Sequence, residues 1–238
     1  MTQIGLKRFW LVLSFAFALG VGSPGGVGSP GHAGDDDKAT VVALGDSLTA
    51  GYRLSQSDGF TAQLERWLTD NGHPADVINA GVSGDTTTGG RSRLEWVLDG
   101  LDSEPDLVIV ALGGNDLLRS IPPAVTRDNL NAIVSTLKDR NIEVLLAGMR
   151  APPNRGPAYQ QAFDRIYPDV AETHDVRLYP FFLKGVATEP DLLLNDGLHP
   201  NPAGVAEMVD NIGPVVASML EQDQRAGASS SAAASDGR

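Results

Sequence analysis

Ser47 sits in the run Thr40-Val-Val-Ala-Leu-Gly-Asp-Ser-Leu-Thr49, where an apolar strand stops at Gly-Asp and passes a hydroxyl to the mouth of a turn. Open α/β folds bind their ligands at the carboxyl ends of parallel strands, so a serine there is both exposed and rigidly held. That makes Ser47 a candidate nucleophile. Asp and Ser after a strand also serve as helix caps and turn residues, so the assignment needs company.

Three other segments supply that company, each in a run that follows or resembles a strand end. Ala80-Gly-Val-Ser-Gly-Asp85 contains Gly84, whose backbone N–H can approach a ligand closely because no side chain intervenes. Gly113-Gly-Asn-Asp116 contains Asn115, whose amide can aim a neutral donor at a developing oxyanion. Asn195-Asp-Gly-Leu-His-Pro200 places Asp196 three residues before His199, close enough for one turn to set the carboxylate beside the imidazole. Such a carboxylate fixes the tautomer of a general base and stabilises the imidazolium that forms. Each residue also has a purely structural reading. Gly84 suits a turn before a capped helix, Asn115 a turn beside two glycines, and the Asp-x-x-His run a helix start ahead of Pro202. The other histidines lie elsewhere: His32 in a Gly-Ser-Pro stretch, His73 in a Gly-His-Pro turn and His174 at a helix end.

The elements that must bring these segments together are legible as apolar runs alternating with helical patterns, the mark of βαβ units and a parallel sheet. We expect strands at about 40–45, 76–80, 106–112, 142–148 and 176–180. Leu107-Val-Ile-Val-Ala-Leu112 has no polar alternation, as a central strand covered on both faces requires. Helical faces recur at Phe60, Leu64, Trp67 and Leu68, at Leu130, Ile133, Val134 and Leu137, and at Val205, Met208, Val209 and Ile212.

The chain has 238 residues, and both ends separate from this core. Lys7 and Arg8 precede an apolar stretch from Phe9 to Val21, the layout of a secretory signal over residues 1–20 and shorter than the roughly 20 apolar residues of a membrane span. Residues 21–38, rich in Gly, Ser and Pro and ending Asp35-Asp36-Asp37-Lys38, read as a flexible linker. Residues 39–220 form one domain of ordinary size, and residues 221–238 read as a disordered tail. With no cysteine, disulfides, thiolate metal sites and a cysteine nucleophile are excluded. A formal net charge of −12 argues against nucleic acid and anionic membrane surfaces as partners.

Taken together, Gly45-Asp-Ser-Leu48, Gly84, Gly113-Gly-Asn-Asp116 and Asp196-Gly-Leu-His199 resemble the four blocks of the SGNH, or GDSL, hydrolase family, in order and in spacing. The resemblance spans nearly all of residues 40–220. It is closest to the secreted thioesterase I, lysophospholipase and arylesterase branch, through Gly45-Asp-Ser-Leu-Thr-Ala-Gly-Tyr-Arg53, Ser83-Gly-Asp-Thr86, the run from Gly113 to Arg119, and Ala162-Phe-Asp-Arg-Ile-Tyr-Pro168. It implies a flavodoxin-like three-layer α/β/α domain with a five-stranded parallel sheet. It further implies Ser47 as nucleophile, Ser47, Gly84 and Asn115 as oxyanion donors, and His199 as general base oriented by Asp196. The α/β-hydrolase elbow, Gly-x-Ser-x-Gly, is a different arrangement: here Leu48 and Thr49 follow the serine.

The implied activity is two-step hydrolysis of small acyl esters or thioesters, aryl esters and lysophospholipids among them, without metal or organic cofactor. Leu117, Leu118, Ile121, Pro122 and Pro152 put apolar side chains beside the expected mouth and suit an acyl chain, or else simply cover the sheet edge. A carbohydrate O-acetyl esterase of the same family is the rival reading, with Tyr52 and Tyr159 as available aromatic platforms because Trp67 and Trp96 have core-like neighbours. A non-catalytic ligand-binding module on a flavodoxin-like scaffold is the alternative of another class. The expected setting is a periplasmic or secreted monomer with no stable membrane anchor.

Overall fold

A computed structural model describes residues 38–235, with side chains described through residue 222. The expected signal segment and most of the linker lie outside the described residues.

Five strands, β1 (Ala39–Gly45), β2 (Ala75–Gly81), β3 (Leu107–Ala111), β4 (Glu143–Ala147) and β5 (Arg177–Tyr179), pair in the order β2-β1-β3-β4-β5, all parallel. Each falls within about a residue or two of its expected position. Burial follows from place in the sheet. All five residues of central β3 are buried, whereas edge strand β2 alternates between buried and exposed positions, as a half-covered edge does.

The longer helices are α2 (Phe60–Asp70), α3 (Thr87–Asp99), α5 (Pro123–Asp139), α6 (Pro157–Asp164), α7 (Ile166–His174) and α8 (Pro202–Ser235); two short ones, α1 (Ser47–Ala50) and α4 (Gly114–Leu118), follow β1 and β3. Parallel crossovers are right-handed, so the leftward step from β1 to β2 and the rightward steps to β3, β4 and β5 send their helices to opposite faces. Helix α2 accordingly packs on α8, and α3, α5 and α7 pack side by side as the other layer. The apolar faces read from the sequence point inward: Phe60, Leu64, Leu68, Leu130, Ile133, Val134, Leu137, Val205, Met208, Val209 and Ile212 are all buried. Each such side chain contributes about 1.5–3 kcal/mol by leaving water.

One expectation is corrected here. Trp96 lies on the solvent side of α3 and is 79% exposed, since the face of α3 that meets the sheet is set by Leu94 and Leu98. Helix α8 runs as far as Ser235, beyond residue 220. Its first residues past that point, Glu221-Gln-Asp-Gln-Arg-Ala226, are mostly good helix formers that extend an existing helix without a new nucleation step.

The sheet reverses its winding between β1 and β3, the switch point where such folds open a crevice at the carboxyl edge. Gly113 shapes the chain there. It has φ 112°, and a Cβ on it would run into the hydroxyl of buried Tyr167, which donates to the Leu112 carbonyl at 2.9 Å. Gly113→Ala should therefore cost about 2 kcal/mol or more of stability, seen as a lower urea midpoint with an unchanged slope.

Candidate active site

Four strand-end loops converge on the crevice. After β1, Asp46 caps α1 by accepting the Leu48 N–H at 3.0 Å, so the chain turns sharply and Ser47 opens the helix at the sheet edge. Asp46 thus fulfils the capping reading of this run and leaves the hydroxyl of Ser47 at the sheet edge. Ser47 Oγ lies 2.9 Å from His199 Nε2, and His199 Nδ1 lies 2.9 Å from Asp196 Oδ2. The other Asp196 oxygen accepts the backbone N–H groups of Leu198 and His199, each at 3.0 Å. Those two backbone bonds, with the imidazole bond, hold the Asp196 carboxyl down at about 2, so it is ionised throughout the neutral range.

The loop carrying this pair is closed on itself. An isolated bridge joins Leu193 to Pro200, and the Leu194 N–H donates to the His199 carbonyl at 2.7 Å. Asn201 caps the following helix through the Gly204 N–H, so the helix-start reading of this run holds as well.

After β2, the chain makes a tight turn in which Asp85 N–H donates to the Val82 carbonyl at 3.0 Å and Gly84 has φ 84°, a conformation that favours glycine. Arg119 Nη2 donates to the Gly84 carbonyl at 2.7 Å and ties this turn to the segment after β3. A second tie is buried. Asp116, fully enclosed, accepts from the backbone and hydroxyl of Thr87 and from Thr126 Oγ1, which fixes the starts of α3 and α5 against α4. Asn115, its neighbour, donates through Nδ2 to Asp46 Oδ2 at 3.2 Å.

Asp46 is almost entirely buried, and burial raises its carboxyl from 3.8 to about 6 against the opposing hydrogen bond from Leu48, the nearby His199 and the Asn115 amide. The native state therefore holds this proton more tightly than the unfolded chain does, and stability falls as pH rises through the window from about 4 to 6. At about 1.4 kcal/mol per unit the rise corresponds to about 3 kcal/mol. Asp46→Asn should flatten the pH dependence of the urea midpoint in that window.

Ser47, Gly84, Asn115 and His199 line one cavity of about 420 Å³, within the range of small-molecule sites. Of the residues expected to receive an acyl chain, Leu117, Leu118 and Pro152 line it, and Ile121 and Pro122 do not. The reason is Ser120, whose left-handed backbone (φ 54°) turns the chain away: the Ile121 N–H bonds to the Asp116 carbonyl, and Pro122 leads into α5. The wall is completed by Leu48, Met149, Phe181, Leu183 and Ala187. The last three follow β5, and the same carboxyl-edge rule applied to Tyr179-Pro-Phe-Phe-Leu183 would have found the first two. Tyr52 also lines the cavity; Tyr159 instead donates to the Ile121 carbonyl at 2.9 Å and does not.

The arrangement offers a hydroxyl, a base with its orienting acid, N–H donors at the same cavity and an apolar wall, the requirements of acyl transfer. Comparisons with known proteins agree. The model of the GDSL-like lipase/acylhydrolase family matches residues 43–206. The chain is 42% identical over 172 residues to an arylesterase of Vibrio mimicus, spanning 71% of this chain and 85% of that one. It is 42% identical over 163 residues to thioesterase 1/protease 1/lysophospholipase L1 of Escherichia coli K12, spanning 68% and 76%. The crystal structure of AlinE4, an SGNH-hydrolase family esterase, superposes with a TM-score of 0.66 at 49% identity, covering 77% of this chain and 97% of that one. By motif, by fold and by kinship, the chain belongs to the GDSL-like lipase/acylhydrolase family, the SGNH hydrolases.

Proposed function

We propose that this protein hydrolyses carboxylic ester and thioester bonds through an acyl-enzyme on Ser47. The observation that carries the reading is the unbroken chain of hydrogen bonds from Ser47 through His199 to Asp196, with Ser47 and His199 lining an apolar-walled cavity. His199 Nε2 takes the Ser47 proton as Oγ bonds to the acyl carbon. The carbonyl electron pair moves to oxygen, where the N–H groups of Ser47 and Gly84 and the Asn115 amide receive it. Collapse of the adduct expels the alcohol or thiol, protonated by His199. Water then adds to the acyl-enzyme with the same base, and the carboxylic acid leaves as Ser47 regains its proton. Asp196, ionised throughout, keeps Nδ1 protonated and stabilises the imidazolium in both halves.

Covalent labelling with a fluorophosphonate tests the reading directly: the label is expected on Ser47 alone, and an unlabelled serine would sink it. The substrates that fit are acyl esters, aryl esters, lysophospholipids and acyl thioesters, because Leu117, Leu118, Met149, Pro152, Phe181 and Leu183 give an acyl chain apolar surface. In a nitrophenyl ester series, kcat/KM is expected to rise at least tenfold from acetyl to a chain of about eight carbons, at up to about 0.8 kcal/mol for each buried methylene. Activity confined to acetyl would favour the carbohydrate deacetylase instead. No tryptophan among the described residues lines the cavity, which counts against a sugar platform. Every group the reaction needs comes from this one chain, which supports action as a monomer. The charged and apolar layout of the leader supports export to the periplasm or beyond.

A further inference from the structure

We propose that Tyr52 is a positioning residue for His199, its ring a π-platform that sets the tilt of the imidazole and stabilises the imidazolium. The inference rests on the acyl-transfer reading and adds to it the control of the base. The two ring edges of His199 are occupied, Nε2 by Ser47 and Nδ1 by Asp196. A ring so held can still rock about the line joining those partners. Tyr52 blocks that motion: its ring centroid lies 4.4 Å from that of His199, at an interplanar angle of 34°.

Tyr52 is itself tied to the nucleophile. Helix α1 ends at Gly51 in the left-handed conformation (φ 76°), and the Tyr52 N–H donates to the Ser47 carbonyl at 3.1 Å. Nucleophile, platform and base are therefore set by one short turn and one loop. Arg53, also left-handed at φ 58°, brings its guanidinium over the Tyr52 ring, 5.1 Å from the centroid. A non-glycine residue in that conformation is uncommon, and here it seats the platform.

An aromatic face carries partial negative charge, so a cation beside it is stabilised, and tryptophan does this best. Such stabilisation is small for neutral imidazole and larger for imidazolium, so it favours the transition state in which His199 carries the serine proton. The charged groups around His199 are Asp196 from its own loop and Asp46 from the turn after β1, with Arg53 behind Tyr52 and Arg150 on the wall of the shared cavity after β4. Asp196, Asp46 and Arg150 are untouched by a change at position 52, whereas Arg53 keeps an aromatic seat in Tyr52→Phe and Tyr52→Trp and loses it in Tyr52→Leu.

The test combines proton NMR titration of the His199 ring with the pH profile of kcat/KM on a neutral nitrophenyl ester, in the wild type, Tyr52→Phe, Tyr52→Trp and Tyr52→Leu. Leucine keeps the face covered against water but removes the π-charge. Tyr52→Leu should lower the His199 midpoint by roughly half a unit to one unit, move the acid limb of the profile with it, and reduce the plateau roughly three- to thirtyfold. Tyr52→Phe should match the wild type, and Tyr52→Trp should keep or raise the midpoint. The proposal is overturned if Tyr52→Leu leaves midpoint and plateau at wild-type values, or if Tyr52→Phe loses as much as Tyr52→Leu, which would assign the effect to the hydroxyl. Turnover persisting in Ser47→Ala would instead refute the acyl-transfer reading, and the NMR midpoints would still report whether Tyr52 acts on His199.

Discussion

Ser47→Ala is expected to lose turnover of nitrophenyl acyl esters by a factor on the order of a million while folding as the wild type does. The size of the loss follows from what a hydroxyl nucleophile supplies: without it no acyl-enzyme forms, and only the remaining donors and the binding cavity can assist water. The fold should survive because the Ser47 hydroxyl makes one bond, to His199, at a partly open position. Thermal unfolding of the purified variant checks that half of the expectation. Adding His199→Ala should then change the rate little, since members of one catalytic unit are strongly non-additive. A variant retaining even a tenth of wild-type kcat/KM would remove Ser47 from the role.

Asn115→Ala should lower kcat by about a hundredfold to a thousandfold with KM little changed, the cost of one oxyanion donor. That pattern distinguishes a donor used in the transition state from one used to bind substrate, which would raise KM at constant kcat. The substitution has a second effect, because Asn115 Nδ2 also donates to buried Asp46. Deprived of that donor, the Asp46 carboxylate loses one of the bonds that offset its burial, so its titration should move further above about 6. A steady-state comparison near pH 8, where Asp46 is ionised in both proteins, isolates the donor effect; a loss of less than tenfold there would discard the role.

Much of this fold is legible in the sequence. Strands β1, β3 and β4 announced themselves because a strand covered on both faces has no reason to be polar. The helical faces ending in Leu137 and Ile212 did so because a 3.6-residue period has few other causes. The four blocks were recognisable because Ser47, Gly84, Asn115 and His199 each follow a strand or a marked turn. What escaped was set by the path of loops in space. Ile121 and Pro122 belong by sequence to the segment that lines the cavity, and one left-handed residue, Ser120, carries them out of it. Phe181 and Leu183 enter from the loop after three-residue β5, where no periodicity marks direction. Asp116 looks like a turn residue, and only burial shows that it fastens α3 to α4. Tyr52 reads from the sequence as an aromatic platform, and only the fold sets its ring against the imidazole.

The loop from Asn195 to Pro200 has a consequence for how much accuracy the fold must deliver. Of the two bonds in the chain from Asp196 to Ser47, one is local, across three residues of a loop fastened by its own bridge. The other joins residues 152 apart. Acid and base thus travel as one cassette with their mutual aim already set. The long-range architecture of sheet and helices has to bring the Ser47 hydroxyl to one ring nitrogen and Gly84, Asn115 and Tyr52 to the same place, but it is relieved of aligning the acid with the base.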